Sequence, residues 1–380
     1  MKYDEILEDL QAKGSLRVLP QVEHEGKYVR RNGCRMLNLS GNDYLGLAGN
    51  RMLRNEFLQW MADRDIPFSS SSSRLLTGNY PVYAGLEERI AFAFGREAAL
   101  LFNSGYHANI GILPAVTNKR TLVLADKLVH ASIIDGILLS GCPFLRYRHT
   151  DYGHLEQLLE KEKGKYEQYI LVTESLFSMD GDLADLKRLV SLRSLFPDVL
   201  LYVDEAHAVG VRGNNGLGLA EETGCIPEID FLVGTFGKAL ASVGAYVVCS
   251  ETMRRYLVNT MRPLIFSTAL PPVNIAWSSF VFERLSRWSA EREHLSEISR
   301  MLRDHLAGIT GTITSASHIV PFVVGENEAC IRKAEALQQG GFYCLPVRPP
   351  TVPAGTSRVR FSLTADMTEE DVERLIRFIR

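Results

Sequence analysis

The chain has 380 residues, 46% of them hydrophobic, and a formal net charge of -3. That length can bury a sizeable core in roughly two domains, and the near-neutral charge gives no reason to expect a nucleic-acid or anionic-membrane partner. No apolar run reaches the ~18 residues that span a bilayer. The acidic, amphipathic start Met1-Lys-Tyr-Asp-Glu-Ile-Leu7 is unlike a signal or transit peptide. The six cysteines are scattered, with no C-x-x-C. A cytoplasmic protein with reduced thiols and no metal site is expected.

In chain order, Tyr3, Ile6, Leu7 and Leu10 recur at helical spacing and predict a short amphipathic helix. A β-rich stretch from about Lys27 to Leu39 ends in the turn-forming Ser40-Gly-Asn-Asp-Tyr-Leu-Gly46. From there to about residue 250, short apolar runs alternate with helical patterns. The predicted strands are Ala98–Phe102, Thr121–Leu124, Phe144–Tyr147, Tyr169–Thr173, Val199–Val203, Phe231–Thr235 and Gly244–Val248. Leu155, Leu158 and Leu159 carry one intervening helix; Leu183, Leu186, Leu189 and Val190 carry another. Such alternation predicts an α/β fold with a mainly parallel central sheet and helices on both faces. The paired prolines of Ser267-Thr-Ala-Leu-Pro-Pro272 mark a break. A long helical stretch, about Val273 to His305, then leads into a smaller α+β pattern. Its predicted strands are Ile319–Val324 and Val359–Leu363, and its helices Glu328–Gln338 and Glu369–Ile379. The expected organisation is an N-terminal segment over 1–44, a large cofactor-binding domain over 45–272, and the long helix with a C-terminal α+β domain over 273–380.

Asp204 closes the apolar run that begins at Val199, at the carboxyl end of a predicted strand. Ligands bind there in open α/β sheets, although an Asp in this place equally caps a following helix. His207 alone fits a core or loop histidine, and a lone lysine is most often a solvated surface charge. Lys238 comes later, after a second predicted strand and between the small Gly237 and Ala239. In that order the three match the needs of pyridoxal phosphate. A lysine amine holds the cofactor aldehyde as a Schiff base, and a carboxylate keeps the pyridine nitrogen protonated so that the ring draws electrons from a carbanion. An enzyme that makes and uses an amino-acid carbanion is expected.

Asp204-Glu-Ala-His207 also spells a helicase ATP-hydrolysis motif, but the chain contains no G-x-x-x-x-G-K-[ST] loop to cradle the phosphates. Gly213-Asn-Asn-Gly-Leu-Gly-Leu-Ala220 lacks the glycine spacing of a dinucleotide fingerprint and reads as a mobile loop. Asn103-Ser-Gly-Tyr-His-Ala-Asn109 follows a strand and opens a helix at about Tyr106. Backbone N–H groups there, with Gly105 allowing close approach, suit a phosphate; Ser104 also reads simply as an N-cap. Thr235 is a second candidate phosphate ligand, and His130 is a candidate to lay its imidazole on the cofactor ring.

At these residues the chain resembles the α-oxoamine synthases, a family of fold-type-I pyridoxal-phosphate enzymes. Asn42-Asp-Tyr-Leu-Gly46, Ser104-Gly-Tyr-His-Ala-Asn109, Glu174-Ser-Leu-Phe-Ser-Met-Asp-Gly-Asp182, Asp204-Glu-Ala-His207 and Thr235-Phe-Gly-Lys238 stand in the family's order and spacing. The likeness runs over nearly the whole chain. It implies that Lys238 carries the cofactor, Asp204 pairs with the pyridine nitrogen, His207 bonds the phenolic oxygen and His130 stacks on the ring. Gly105, Tyr106 and Thr235 would hold the phosphate, with Ser178 beside the cofactor. Arg360 would grip the amino-acid carboxylate, with Asn42 among the substrate contacts. Period-two alternation turns Arg358 and Arg360 to one face, so spacing leaves the two open and the resemblance alone selects Arg360. Arg17 and Thr351 would contact the acyl substrate. The resemblance also implies a homodimer with shared active sites, in which Ser267 and Thr268 reach the partner's phosphate.

The implied reaction is a decarboxylative condensation of an amino acid with an acyl thioester. Ile265–Pro272 and Pro349–Arg360 are most similar to the members that join L-alanine to a pimeloyl thioester, either pimeloyl-CoA or pimeloyl-acyl-carrier protein. The alternatives are a related condensing enzyme that uses glycine, and a non-catalytic partner subunit that keeps the fold. Two positions depart from the pattern. Ser69–Ser73 and Arg74 replace a Gly/Ser mixture, so the loop near the substrate entrance loses glycine's freedom at φ > 0 and is expected to differ in shape or ligand. Ser175 stands where many relatives have Gly.

Overall fold

The computed structural model describes residues 3–311 and 314–379. The chain forms two compact units, one of Arg51–Phe177 and Leu183–Arg292, the other of Met1–Asn50, Ser178–Asp182 and Glu293–Arg380.

The first unit is built on a seven-stranded sheet in the order Ala98–Phe102, Ala245–Cys249, Phe231–Thr235, Val199–Asp204, Gln168–Glu174, Thr121–Asp126, Phe144–Tyr147. Ala245–Cys249 runs antiparallel to both neighbours, and the other neighbouring pairs are parallel. Every residue of Ala98–Phe102, Thr121–Asp126, Phe231–Thr235 and Ala245–Cys249 is buried. A strand covered on both faces needs side chains that tolerate burial at every position, which is why these strands read as continuous apolar runs. The edge strand Phe144–Tyr147 lacks that cover and is half exposed. Helices Gly105–Val116 and Ala131–Ser140 lay Ile112, Leu113, Ile133 and Ile137 against Val123, Ile170, Val172 and Tyr202 of the sheet. Each fully buried aliphatic side chain contributes about 1.5–3 kcal/mol.

The second unit holds two small sheets. One has the order Glu23–Glu25, Tyr28–Arg31, Cys34–Asn38, Phe342–Tyr343; the other Ile319–Gly325, Ser357–Ser362, Pro346–Val347. Helix Glu369–Phe378 starts on a capping box, Thr368 taking the Asp371 N–H while the Asp371 carboxylate takes the Thr368 N–H. The amphipathic helix expected at the start is present as Tyr3–Ala12, with none of its residues buried. Among the described residues no helix is long and apolar enough to cross a membrane.

Two expectations are corrected. The helical stretch from Val273 is not continuous: helix Pro272–Phe282 ends, a 3-10 turn Leu285–Trp288 intervenes, and helix Ser289–Thr310 follows. Arg284 donates to the Phe280 carbonyl at 2.9 Å, and Arg292 to the Leu285 carbonyl at 2.8 Å. Side chains thus take up carbonyls that an interrupted helix leaves open. In the serine-rich loop, Arg74 is an internal clamp. It pairs with Glu87 at 2.7 Å, bonds Asn79 through two nitrogens and lies over the Tyr83 ring. The lost glycine freedom does not prevent a left-handed residue either, since Ser71 adopts φ 49°.

Secondly, the glycine-rich Gly213–Ala220 is a pinned segment, with a helix beginning at Leu219. Buried Glu205 accepts from the Leu219 and Ala220 N–H groups and from the Ser175 hydroxyl at 3.0, 2.7 and 2.6 Å. Gly218, at φ 114°, leaves that carboxylate room: a Cβ there would lie 2.6 Å from Glu205 Oε2. Replacing Glu205 by Ala strands these buried donors and is expected to lower unfolding free energy by about 3 kcal/mol or more in denaturant titrations. Burial pushes the Glu205 carboxyl up to about 7 from 4.5, against the pull of its three donors. The folded state therefore keeps a proton that the unfolded chain has released. Its stabilising contribution is full below the unfolded value and is lost as pH rises through the folded one. Relative to Glu205→Gln, wild-type stability is expected to fall between about pH 4.5 and 7 and then level off.

Candidate active site

Strands Gln168–Glu174, Val199–Asp204 and Phe231–Thr235 deliver their carboxyl ends to one cavity of about 180 Å³. Its lining brings together Gly105, Tyr106, His130, Asp204, His207, Thr235 and Lys238, all singled out from sequence. The turn after Phe231–Thr235 sets the lysine. The Thr235 hydroxyl donates to the Gly244 carbonyl and accepts the Gly237 N–H, and the Ala241 N–H returns to the Lys238 carbonyl at 2.9 Å. Lys238 Nζ lies 2.8 Å from His207 Nε2.

Asp204 is held on both oxygens. Its Oδ1 accepts the Ala206 N–H and its Oδ2 the Asn109 side-chain amide, each at 2.9 Å. The Ala206 N–H closes a local turn on Asp204, and no helix starts there, the next one beginning at Leu219, so the helix-cap alternative does not hold. Asn109 uses its whole amide: Oδ1 accepts the Tyr202 hydroxyl at 2.5 Å, and Nδ2 also reaches Ser132 Oγ at 2.9 Å. Ser132 Oγ in turn lies 2.7 Å from His130 Nδ1. A chain of hydrogen bonds thus runs from Tyr202 through Asn109 and Ser132 to His130, with Asp204 attached.

His130 caps helix Ala131–Ser140, its Nδ1 accepting the Ser132 N–H at 3.2 Å. That bond makes Nδ1 an acceptor and puts the imidazole proton on Nε2. Desolvation lowers the His130 pKa; Asp204 opposes the shift and Lys238 adds to it, although the residue keeps an exposed face. Ser104 N-caps helix Gly105–Val116, and nothing lies within 4 Å of where a Cβ would stand on Gly105. The Tyr106 hydroxyl donates to Asp135 at 2.8 Å. Ser267 and Thr268 lie elsewhere in the same unit, where Thr268 bridges Ser73 and its carbonyl accepts the Asn103 amide at 2.7 Å.

The remaining predicted residues belong to the other unit. Arg360 is buried and donates through Nε to the Ser178 carbonyl at 2.6 Å and through Nη2 to the Tyr44 hydroxyl at 3.2 Å. Asn42 Oδ1 stands 3.4 Å from both terminal nitrogens. All these acceptors are neutral. Arg358, two residues earlier, is ion-paired with Asp180. Arg17 Nη2 donates to Thr351 Oγ1 at 3.0 Å, so the two residues expected to share the acyl substrate touch one another.

A family model described as "Aminotransferase class I and II" matches residues 35–379. The chain belongs to the aminotransferase class I and II family. Within it, the chain is 60% identical over 372 residues to a Haemophilus influenzae protein that carries the provisional name 8-amino-7-oxononanoate synthase, covering 98% of each. Among solved structures it is similar to serine palmitoyltransferase from S. paucimobilis with a bound PLP–myriocin aldimine. That match has a TM-score of 0.90 and 27% identity, covering 99% of this chain and 95% of the other. It is also similar to 8-amino-7-oxononanoate synthase from Francisella tularensis, with a TM-score of 0.76, 26% identity and coverage of 90% and 96%. The expected resemblance and the fold-type-I architecture are borne out.

Sequence reasoning did not assign roles to Asn109, Ser132, Glu174 or Tyr202. A signal existed for Asn109, which sits one helical turn after Gly105 and so on the same face of its helix. Tyr202 is indistinguishable in sequence from any apolar residue of a buried strand.

Proposed function

We propose that this protein is a pyridoxal-phosphate-dependent C-acyltransferase of the cytoplasm. It condenses L-alanine with a pimeloyl thioester, giving 8-amino-7-oxononanoate, CO2 and the free thiol carrier for biotin synthesis. The observation that carries the chemistry is the convergence of Lys238, His207 and Asp204 on one cavity. The substrate assignment draws on the name of the Haemophilus influenzae relative.

The cavity suits pyridoxal phosphate on its own terms. It offers an amine at Lys238, a carboxylate at Asp204 braced by two donors, and a helix N-terminus at Gly105 with open space beside it. Lys238 would carry the cofactor, with Gly105, Tyr106 and Thr235 at its phosphate, His130 and His207 at its ring, and Ser178 beside it. When bound, the cofactor supplies an electron sink for the α-carbon of the amino acid. Lys238 Nζ acts as the base that takes the α-proton and later returns one. Asp204, fixed by Asn109 and the Ala206 N–H, would pair with the pyridine nitrogen. His130, with its proton on Nε2, is a neutral plate that adds no charge against that nitrogen.

Arg360 and Asn42 would receive the α-carboxylate of alanine, because a guanidinium whose bonds all go to neutral groups still lacks an anion. Arg17 and Thr351 would take the acyl substrate. The active form would be a homodimer in which the exposed Thr268 and neighbouring Ser267 complete the partner's site. Alanine, glycine and serine tested against several acyl thioesters of CoA and of acyl-carrier protein, with products read by mass spectrometry, decide the assignment. Alanine with a pimeloyl thioester is expected to give a kcat/KM at least about tenfold above the other amino acids, the scale of discrimination for one small group in a fitted pocket. A preference for glycine or serine would overturn it.

A further inference from the structure

Glu174 and Asp204 are register partners at the carboxyl ends of adjacent parallel strands, so their carboxyl groups leave the sheet side by side. Their surroundings differ. Asp204 has a donor on each oxygen. Glu174 is 2% exposed, and its Oε1 is buried without a partner. The charged and titratable groups facing it are Asp204 from the next strand, Asp126 from strand Thr121–Asp126, His130 from the helix cap, and Lys238. Asp126 is already engaged by His149 and by the Thr150 and Leu128 N–H groups. One amine thus faces more than one carboxyl. An anion at Glu174 would keep a bare buried oxygen next to Asp204, and closely spaced carboxylates do not both ionise.

We propose that Glu174 is held as a neutral carboxylic acid, leaving Asp204 the anion of the cavity floor. Burial first, and then the charge of Asp204, hold the Glu174 carboxyl well above the usual range; Lys238 and the His130 N–H pull the other way. The proton keeps a second negative charge from entering the site beside Asp204. The inference rests on the proposed cofactor reading only for its use, since the protonation state is a property of the apoprotein.

The test is denaturant unfolding of the apoprotein across about pH 5–9, wild type against E174Q. Because the folded pKa is raised, the folded state holds a proton that the unfolded chain releases. Wild-type stability should therefore fall with rising pH relative to E174Q, with a slope approaching one proton. A difference that is constant, or that favours wild type more as pH rises, overturns the proposal. In the loaded protein the pH midpoint of the cofactor absorbance should be the same in both, because one neutral group replaces another; a shifted midpoint means an anion was removed. Should E174Q fail to fold, infrared spectra of wild type with isotope-labelled glutamate, taken at about pH 8 to ionise Glu205, carry the test. A labelled carboxylic-acid band is expected, and its absence overturns the proposal. Neither apoprotein readout depends on cofactor or substrate, so a failure of the proposed function leaves this result standing.

Discussion

Lys238→Ala is expected to fold, to bind pyridoxal phosphate through Asp204 and the phosphate groups, and to lose turnover by at least about 10³-fold, the scale for removing a catalytic acid–base group. The fold should survive because the Lys238 side chain is only partly buried and bonds His207 rather than filling the core. Its backbone carbonyl, which closes the turn by accepting the Ala241 N–H, is kept by any residue. The loss should appear in kcat, since the amine acts on the α-proton rather than on substrate carboxylate or acyl chain. Product formation at saturating cofactor, with a thermal melt as the folding control, checks it. A variant with wild-type turnover removes Lys238 from the mechanism.

Arg360→Ala is expected to weaken alanine binding by about 2–4 kcal/mol, the cost of leaving a buried carboxylate without its cation, and to leave acyl thioester binding nearly unchanged. Arg358→Ala should do the reverse in kind. It breaks the ion pair with Asp180 and lowers stability, while alanine binding stays near wild type. Lysine at 360 should recover only part of the loss, because an ammonium is a point charge without the guanidinium fork. Alanine titrations followed by the cofactor absorbance measure both variants. If Arg358→Ala loses alanine and Arg360→Ala does not, the carboxylate site belongs to the earlier arginine.

These two arginines show where sequence reading stops. They share strand Ser357–Ser362 and a period of two, so alternation treats them alike. What separates them is Asp180 on one and neutral Ser178, Tyr44 and Asn42 acceptors on the other, all far away in sequence. The segment Gly213–Ala220 teaches the same lesson. Its glycines read as mobility, but Glu205 and Glu221 bind its backbone, and glycine is present so that the carboxylates can approach. The helix break near Leu285 was hidden because helical periodicity continues across it.

By itself the sequence determined the doubly covered strands of the main sheet, because such strands must be continuously apolar, and it marked Lys238, Asp204 and His207, because each follows or ends such a strand. It also carried the family, through motifs whose order and spacing survive in a linear text. Only the tertiary structure decided that Ala245–Cys249 runs antiparallel, since an apolar run has no direction. Only it tied Tyr202, Asn109 and Ser132 to Asp204 and His130, and set Glu174 beside Asp204. Hydrogen bonds and charge pairs between distant residues depend on how strands and helices are placed in space, and no local pattern of residue types records that.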